Sequence, residues 1–397
     1  MKILAINTSH DTSIVTMEDG VVTNVWEEER HRREKYWSPK PDSTRLLTLD
    51  QRGVEPPEYL IFASFDRRVL QVDFSPEVRN DRLLQRDIAN AFQKQQCTRS
   101  RIREIMDEFN IEGVEPRIFF PDGEEEPEEN FDTELNKKIA YQVGAEEHFF
   151  DKTKHHLYHA ESGYYFSPWY KDDEPAIAIT WDGGGAQPHF TTHPNYQEIE
   201  SIYRIENKHT EPKLQWQKLS NHRWTGESKG KGFYNMLENC LDCPVDETVT
   251  LDGVETVLTS QPSNGMNFSN LSFALGCDDS GRAAGKVMGM ASYAQQPLMP
   301  NVHTRHTTAQ RCELESLEAA CDVIRHALDL NPDIKNVVLS GGFSLNCTNN
   351  YKYMLEFPEV EFFVDPVAHD GGTAVGAGLW LHRELSRSED GVEERSE

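Results

Sequence analysis

KILAINTSHDTSIVTMEDGVVTNVW, residues 2–26, is the stretch whose reading sets the architecture. KILAINT (2–8) is an apolar run. SIVTM (13–17) and VVTNVW (21–26) read as two strands joined by Glu18-Asp19-Gly20, a hairpin with a polar tip. Working outward, two later segments share one local pattern, a buried strand running into glycines. AIAITWDGGG (176–185) ends in Asp182, Gly183, Gly184 and Gly185, and NVVLSGGFSLNCTNN (336–350) passes through Gly341 and Gly342 to Asn346. Glycine removes side-chain bulk, so the backbone can come close to a phosphate with successive N–H groups pointing at it. Strand, glycine pair, helix N-terminus is the recurring phosphate or ribose geometry of α/β folds. For the first of these turns an ordinary glycine turn is the plain alternative. A third glycine element, PVAHDGGTAVGAGLW (366–380), places Asp370-Gly371-Gly372 before a small-residue helix able to pack tightly.

KHHLYHAESGYYFSPW (154–169) carries the chemistry. His155 and His159 stand four apart, and on a helix such side chains share one face, so both imidazoles can converge on one ion. An oxygen ligand from a distant loop, with Asp370 the candidate, gives a site with only three protein ligands. That pattern belongs to catalytic rather than structural metals.

The composition narrows the classes. With 397 residues the chain is long enough for one large two-lobed domain or two to three ordinary ones. Its 67 acidic against 40 basic residues give a net charge of -27, which repels nucleic acid at long range and requires a local basic surface for any such binding. No apolar run reaches transmembrane length, and the N-terminus reads as a strand and not a signal peptide, so cytoplasmic residence is expected. Seven scattered cysteines argue against a disulfide framework, and the CxxC of Cys240 and Cys243 lacks the second pair a zinc knuckle needs. Between the hairpin and residue 144 the reading is irregular, with helices near 80–109 and a solvated acidic loop, GEEEPEEN, at 123–130. No repeat period is present.

Taken in order, seven segments resemble the carbamoyltransferase family, whose members include nodulation-factor and antibiotic-tailoring O-carbamoyltransferases. They are SHDTSIVTMEDG (9–20), EEERHRREK (27–35), HHLYHAESGYYFSPW (155–169), WDGGG (181–185), GKVMGMASYA (285–294), SGGFSLNCTNN (340–350) and DPVAHDGGTAVGAG (365–378). The resemblance implies an α/β, actin/Hsp70-like ATPase fold of two lobes, whose first lobe characteristically opens on such a hairpin. The lobes are expected at 1–174, with an acidic insertion near 110–140, and at 175–385, leaving 386–397 as a disordered tail. It further implies iron(II) bound by His155, His159 and Asp370, although imidazole and carboxylate also suit manganese and zinc. An ATP or ADP cleft is implied along Asp182–Gly185 and Gly341–Asn346, with Lys286 in the GKVMG segment. His10 stands where the family has a histidine near the transferred carbamoyl group, and Lys35 where it has a basic residue after its EEER motif, and both are candidate catalytic residues. For both, a surface or capping role is the plain alternative.

Two departures bear on function. Acidic residues usual before the GKVMG segment are replaced here by Gly281-Arg282-Ala283-Ala284, which leaves Asp278 or Asp279 to position an acceptor. The chain also ends without length for a YrdC-like domain that makes carbamoyl-adenylate. The donor is therefore expected to be carbamoyl phosphate itself, or an adenylate from a separate YrdC-like protein. The acceptor is a hydroxyl. Basic residues beside aromatics in RHRREKYWSPK (30–40) and NHRWTGESKGKGF (221–233), notably Arg223, Trp224, Lys229 and Lys231, with three arginines in TRSRIRE (98–104), suit a polyanion whose bases stack. A hydroxymethylated pyrimidine in DNA, flipped from the duplex, is one acceptor class. A sugar, nucleoside or antibiotic hydroxyl is the other. A non-catalytic nucleotide-binding subunit is the alternative of a different kind, and the open metal set argues against it.

Overall fold

A computed structural model describes residues 1–39, 45–64, 69–72, 116–119, 131–151, 153–186, 196–221, 246–277, 283–294 and 305–393. The helices expected near 80–109, the acidic loop, the segment 98–104, Cys240, Cys243, Asp278, Asp279, Arg282, and the set Arg223, Trp224, Lys229 and Lys231 lie outside the described residues.

The strands are β1 (Lys2–Asn7), β2 (Ser13–Glu18), β3 (Val21–Glu27), β4 (Tyr59–Ala63), β5 (Val69–Val72), β6 (Pro116–Phe119), β7 (Phe149–Phe150), β8 (Ala176–Trp181), β9 (Gln197–Ile205), β10 (Lys213–Ser220), β11 (Glu247–Leu251), β12 (Val254–Thr259), β13 (Asn336–Ser340) and β14 (Glu361–Val364). Among the helices are α1 (Glu28–Arg32), α2 (Leu47–Arg52), α3 (Phe131–Val143), α4 (His155–Phe166), α5 (Pro168–Asp172), α6 (Asn264–Ala274), α7 (Ala284–Ala291), α8 (Arg305–Leu330), α9 (Cys347–Glu356) and α10 (Thr373–Glu393). One sheet has the order β3-β2-β1-β4-β7 and a second β11-β12-β10-β9-β8-β13-β14. The opening hairpin pairs Ser13 with Glu27 and turns at Asp19 and Gly20, both with positive φ.

Strand alternation explains the layers. Leu4 and Ile6 face Leu135 and Ile139 of α3, while Ile3 and Ala5 on the other face meet Ala374, Val375 and Ala377 of α10. In the second sheet Ile177, Ile179, Val337 and Leu339 pack on Ala320, Ile324 and Ala327 of α8. Their alternates Ala176, Ala178 and Val338 meet Leu157, Ala160 and Tyr164 of α4. Helices α4 and α10 pack on each other, so the layers run α3, first sheet, α10 with α4, second sheet, α8. Full burial of each of these large aliphatic side chains contributes about 1.5–3 kcal/mol.

The last helix packs both on the first sheet and on α4, and Trp380 touches the clusters on either side. It also runs to Glu393, and the stretch expected to be a disordered tail from 386 is helical to that point. The apolar stripe that docks on the first sheet extends to Leu385, and Arg387 pairs with Glu384 one turn back at 3.0 Å. No helix among the described residues is long and apolar enough to cross a membrane.

Candidate metal centre and glycine turns

Strands β1, β8 and β13 end side by side with α4 and the HDGG turn, and their termini converge. Asn7, at the end of β1, accepts from the Ser9 amide at 2.9 Å and donates to the His10 carbonyl at 3.1 Å. This Asx-type turn folds the chain back and holds His10 outward. Ser9 Oγ donates to Asp370 Oδ2 at 2.8 Å, and Ser13 Oγ donates to the Gly371 carbonyl at 2.6 Å. The HDGG turn is thus tied to the first sheet by two hydroxyls.

Four side chains meet there. His155, His159, Asp182 and Asp370 each offer a ligand atom, all within 4.8 Å of one another, and all four are buried. His155 Nε2 lies 3.3 Å from Asp182 Oδ2 and 3.8 Å from Asp370 Oδ1, and His159 Nε2 lies 3.8 Å from Asp370 Oδ1. His156, between them on α4, faces away and pairs through Nδ1 with Ser201 Oγ at 2.8 Å. Its burial, and then the neighbouring His155, hold it neutral.

The electrostatics suit a cation. Burial disfavours charge on both aspartates, yet Asp370 is held well below the ordinary carboxylate range by His10, His155 and His159, and Asp182 is lowered by its hydrogen bond to His155. His155 loses to burial but is raised overall by Asp370 and Asp182. Two carboxylates this close therefore draw a proton onto His155, the role a divalent ion would otherwise fill. The residues pass a separate test of fit. His159 is fully buried and neither ring nitrogen has a hydrogen-bond partner, a cost of about 1–3 kcal/mol that a metal–nitrogen bond would remove.

The glycine turns lie against this cluster. Asp182 Oδ1 accepts from the Gly342 amide at 3.1 Å, so one carboxylate faces both His155 and the second turn. Gly341 has φ 84°, and a Cβ there would sit 2.3 Å from the Trp181 carbonyl oxygen, which makes glycine the residue this contact admits. At Gly185 a Cβ would come within 2.8 Å of the His155 ring, whereas Gly183 faces open space and Gly184 meets Gln197. Glu198 ties the first turn to α4, its Oε2 accepting from Ala186 N at 3.1 Å and His156 N at 3.3 Å. Burial pushes this carboxyl up to about 7.

The other expected site residues separate. His10 stands over the cluster, Nε2 3.3 Å from Asp370 Oδ2 and Nδ1 2.8 Å from Asp11 Oδ2, with 52% of its side chain exposed. Desolvation opposes its charge, but Asp370 and Asp11 outweigh it and raise His10 to about 9. Lys35 is exposed, with Nζ 4.6 Å from the Tyr36 ring centroid and within electrostatic reach of Asp11. Lys286 is exposed on α7 and donates to the Cys277 carbonyl at 3.0 Å. Asn346 is buried as the N-cap of α9 and donates to Glu313 Oε2 at 3.2 Å, which gives it a structural task. The sequence reading placed Asp182 with phosphate and did not see it facing His155. The available signal was a carboxylate at the C-terminal end of a buried parallel strand, where α/β sheets gather their ligands.

The match to the carbamoyltransferase N-terminus family covers residues 2–297. A segment of 66 residues is 41% identical to Nodulation protein NolNO of Sinorhizobium fredii (strain NBRC 101917 / NGR234), covering 17% of this chain and 10% of that protein. Among solved structures, HypF of T. kodakarensis superposes with a TM-score of 0.51 at 13% identity, over 97% of this chain and 48% of that one. Full-length HypF in its phosphate- and nucleotide-bound form gives a TM-score of 0.46 at 11% identity, over 97% of this chain and 55% of that one. The chain thus spans about half the length of the HypF structures it matches. Its fold, two mixed α/β sheets packed through α4 and α10, is shared with the T. kodakarensis HypF structure. With the family match running from the first strand past α4 and the first glycine turn, the chain belongs to the carbamoyltransferase family.

Proposed function

We propose that this chain transfers a carbamoyl group to an acceptor hydroxyl, at a divalent metal, iron(II) foremost, held by His155, His159, Asp182 and Asp370. The observation that carries the reading is the convergence of those four buried ligand atoms directly beneath His10 and beside two glycine turns. When bound, the metal supplies Lewis-acid polarisation of the carbamoyl carbonyl. The chain's own groups do the rest. His10, half exposed above the cluster, takes the proton of the attacking hydroxyl, since charge taken up at Asp370 weakens the pull that otherwise keeps the ring protonated. Asp11, bonded to His10 Nδ1, fixes the ring and leaves Nε2 to face the reacting atoms. Lys35, near Asp11, adds positive charge for an anionic donor. The Gly183 and Gly184 amides of the first turn face the departing phosphate or an adenine nucleotide, those of Asp182, Gly185 and Gly342 being taken by Ile199, Glu198 and Asp182.

Carbamoyl phosphate is the donor this reading favours, because a labile carbamoyl-adenylate brought from another site would be exposed to water on the way. Mass spectrometry of alcohols and hydroxymethylpyrimidine DNA incubated with the chain and carbamoyl phosphate, with and without ATP, tests it. One added carbamoyl group identifies donor and acceptor together, and none on any acceptor under either condition overturns it. DNA as acceptor has a distinct signature, a steep fall in rate with salt. Arg223, Lys229 and Lys231 changed together to alanine should then depress action on DNA far more than on the free nucleoside. Equal loss on both would assign a small-molecule acceptor.

The glycine turns give a further prediction. Gly342→Val adds a Cβ that would meet Asp182 Oδ1 at 2.8 Å and fills the phosphate space. ADP affinity should fall at least about tenfold, roughly 1.4 kcal/mol. Calorimetry finding ADP bound equally well would remove this turn from the nucleotide cleft.

A further inference from the structure

We propose that Glu27 and His369 form a positioning pair that sets Asp370 for the metal, an inference that rests on the metal reading above. His369 immediately precedes Asp370, and its ring sits in a defined tautomer. Nδ1 accepts from the Gly371 amide at 3.1 Å, so the proton resides on Nε2, which lies 2.9 Å from Glu27 Oε1. The neutral ring suffices for both bonds. Glu27 is the last residue of β3, where it pairs across the hairpin with Ser13, whose hydroxyl donates to the Gly371 carbonyl. The turn around Asp370 is therefore gripped on both sides by the first sheet: Glu27 through His369 before it, Ser13 through Gly371 after it. Ser9 holds Asp370 Oδ2 itself. His155 and His159 come from α4, packed on the second sheet. The Glu27–His369 link thus fixes how far a ligand braced on one sheet stands from ligands braced on the other. Outer-shell contacts of this kind orient a ligand and commonly change metal affinity 10–100-fold when lost. The other oxygen of Glu27 is held by Arg30 Nε at 2.7 Å, and that arginine is 72% exposed.

The test is a Co2+ titration of the full chain, read by ligand-field absorption and calorimetry, with denaturation of the metal-free protein alongside. Glu27→Ala and His369→Ala should each weaken Co2+ binding about tenfold or more and alter the visible band. The double variant should be no worse than either single one, since both remove the same link. Glu27→Gln, which keeps an acceptor for Nε2–H, should restore most of the affinity, and Arg30→Ala should leave it unchanged. Should one alanine variant fail to fold, the other and Glu27→Gln still decide. Affinity within twofold of the unaltered chain in a folded alanine variant, additive losses in the double variant, or an Arg30→Ala loss equal to that of Glu27→Ala would each overturn the pair. An unaltered chain that takes up no Co2+ would overturn the metal reading itself, and this inference with it.

Discussion

Asp370→Ala should yield a folded protein that neither holds a divalent metal nor transfers carbamoyl groups. The side chain lies within 3.8 Å of the His155 and His159 imidazoles and 3.3 Å of His10, so its removal takes away a carboxylate that faces all three rings. Metal affinity should fall by more than about a hundredfold, beyond the loss typical of outer-shell changes. Losing Lewis-acid stabilisation of several kcal/mol lowers the rate on the order of a thousandfold. Stability of the metal-free protein should fall, because a carboxylate that His10, His155 and His159 hold ionised is lost. The cost is offset in part by relief of its repulsion with Asp182 and by Asn7 Oδ1, 2.9 Å from Ser9 Oγ, as a substitute acceptor. His155→Ala should behave alike, because it removes the ligand that faces both aspartates. Metal content by elemental analysis and carbamoyl transfer by mass spectrometry check both. A metal-free Asp370→Ala protein with full transfer activity would overturn the assignment.

Much of this site could be read from residue order because its parts are locally encoded. The i, i+4 spacing of His155 and His159 needs only a helix to become a shared face, and ring centroids 4.8 Å apart follow from it. The opening hairpin is likewise a local matter of alternating apolar residues and a turn with positive φ at Asp19 and Gly20. What the sequence hides is long-range pairing. Asp182 and Gly342 meet because β8 lies parallel to β13 with Thr180 opposite Ser340, a register no local pattern records. Glu27 looked like one acid in a charged run, and only the return of the HDGG turn to the first sheet gives it a partner. The return of α10 to that sheet was hidden for the same reason: its apolar stripe states that it must pack, not against which sheet.

Gly376→Ala, a change of one methyl group, should be among the most damaging substitutions in the chain. In the interior of a helix the replacement ordinarily stabilises by about 1 kcal/mol. At Gly376 the new Cβ would fall 1.9 Å from the Tyr158 carbonyl oxygen, so α4 and α10 touch backbone to backbone there. A Cβ has no rotamer by which to escape, and the obstacle is main chain, so the helices must separate. Tyr158 lies between His155 and His159 on α4, and α10 begins three residues beyond Asp370. Parting the helices therefore draws the carboxylate away from both imidazoles while opening the layer between the two sheets. A stability loss of about 3 kcal/mol or more is expected, with at least a tenfold loss of Co2+ affinity. Gly378→Ala supplies the control, since its Cβ would meet only the flexible tip of Met17 at 3.1 Å and the Ala5 methyl at 3.5 Å. That variant should be near neutral in urea denaturation and bind Co2+ normally. If the two substitutions proved alike in denaturation midpoint and metal affinity, the close crossing of α4 and α10 would not be what holds the ligands together.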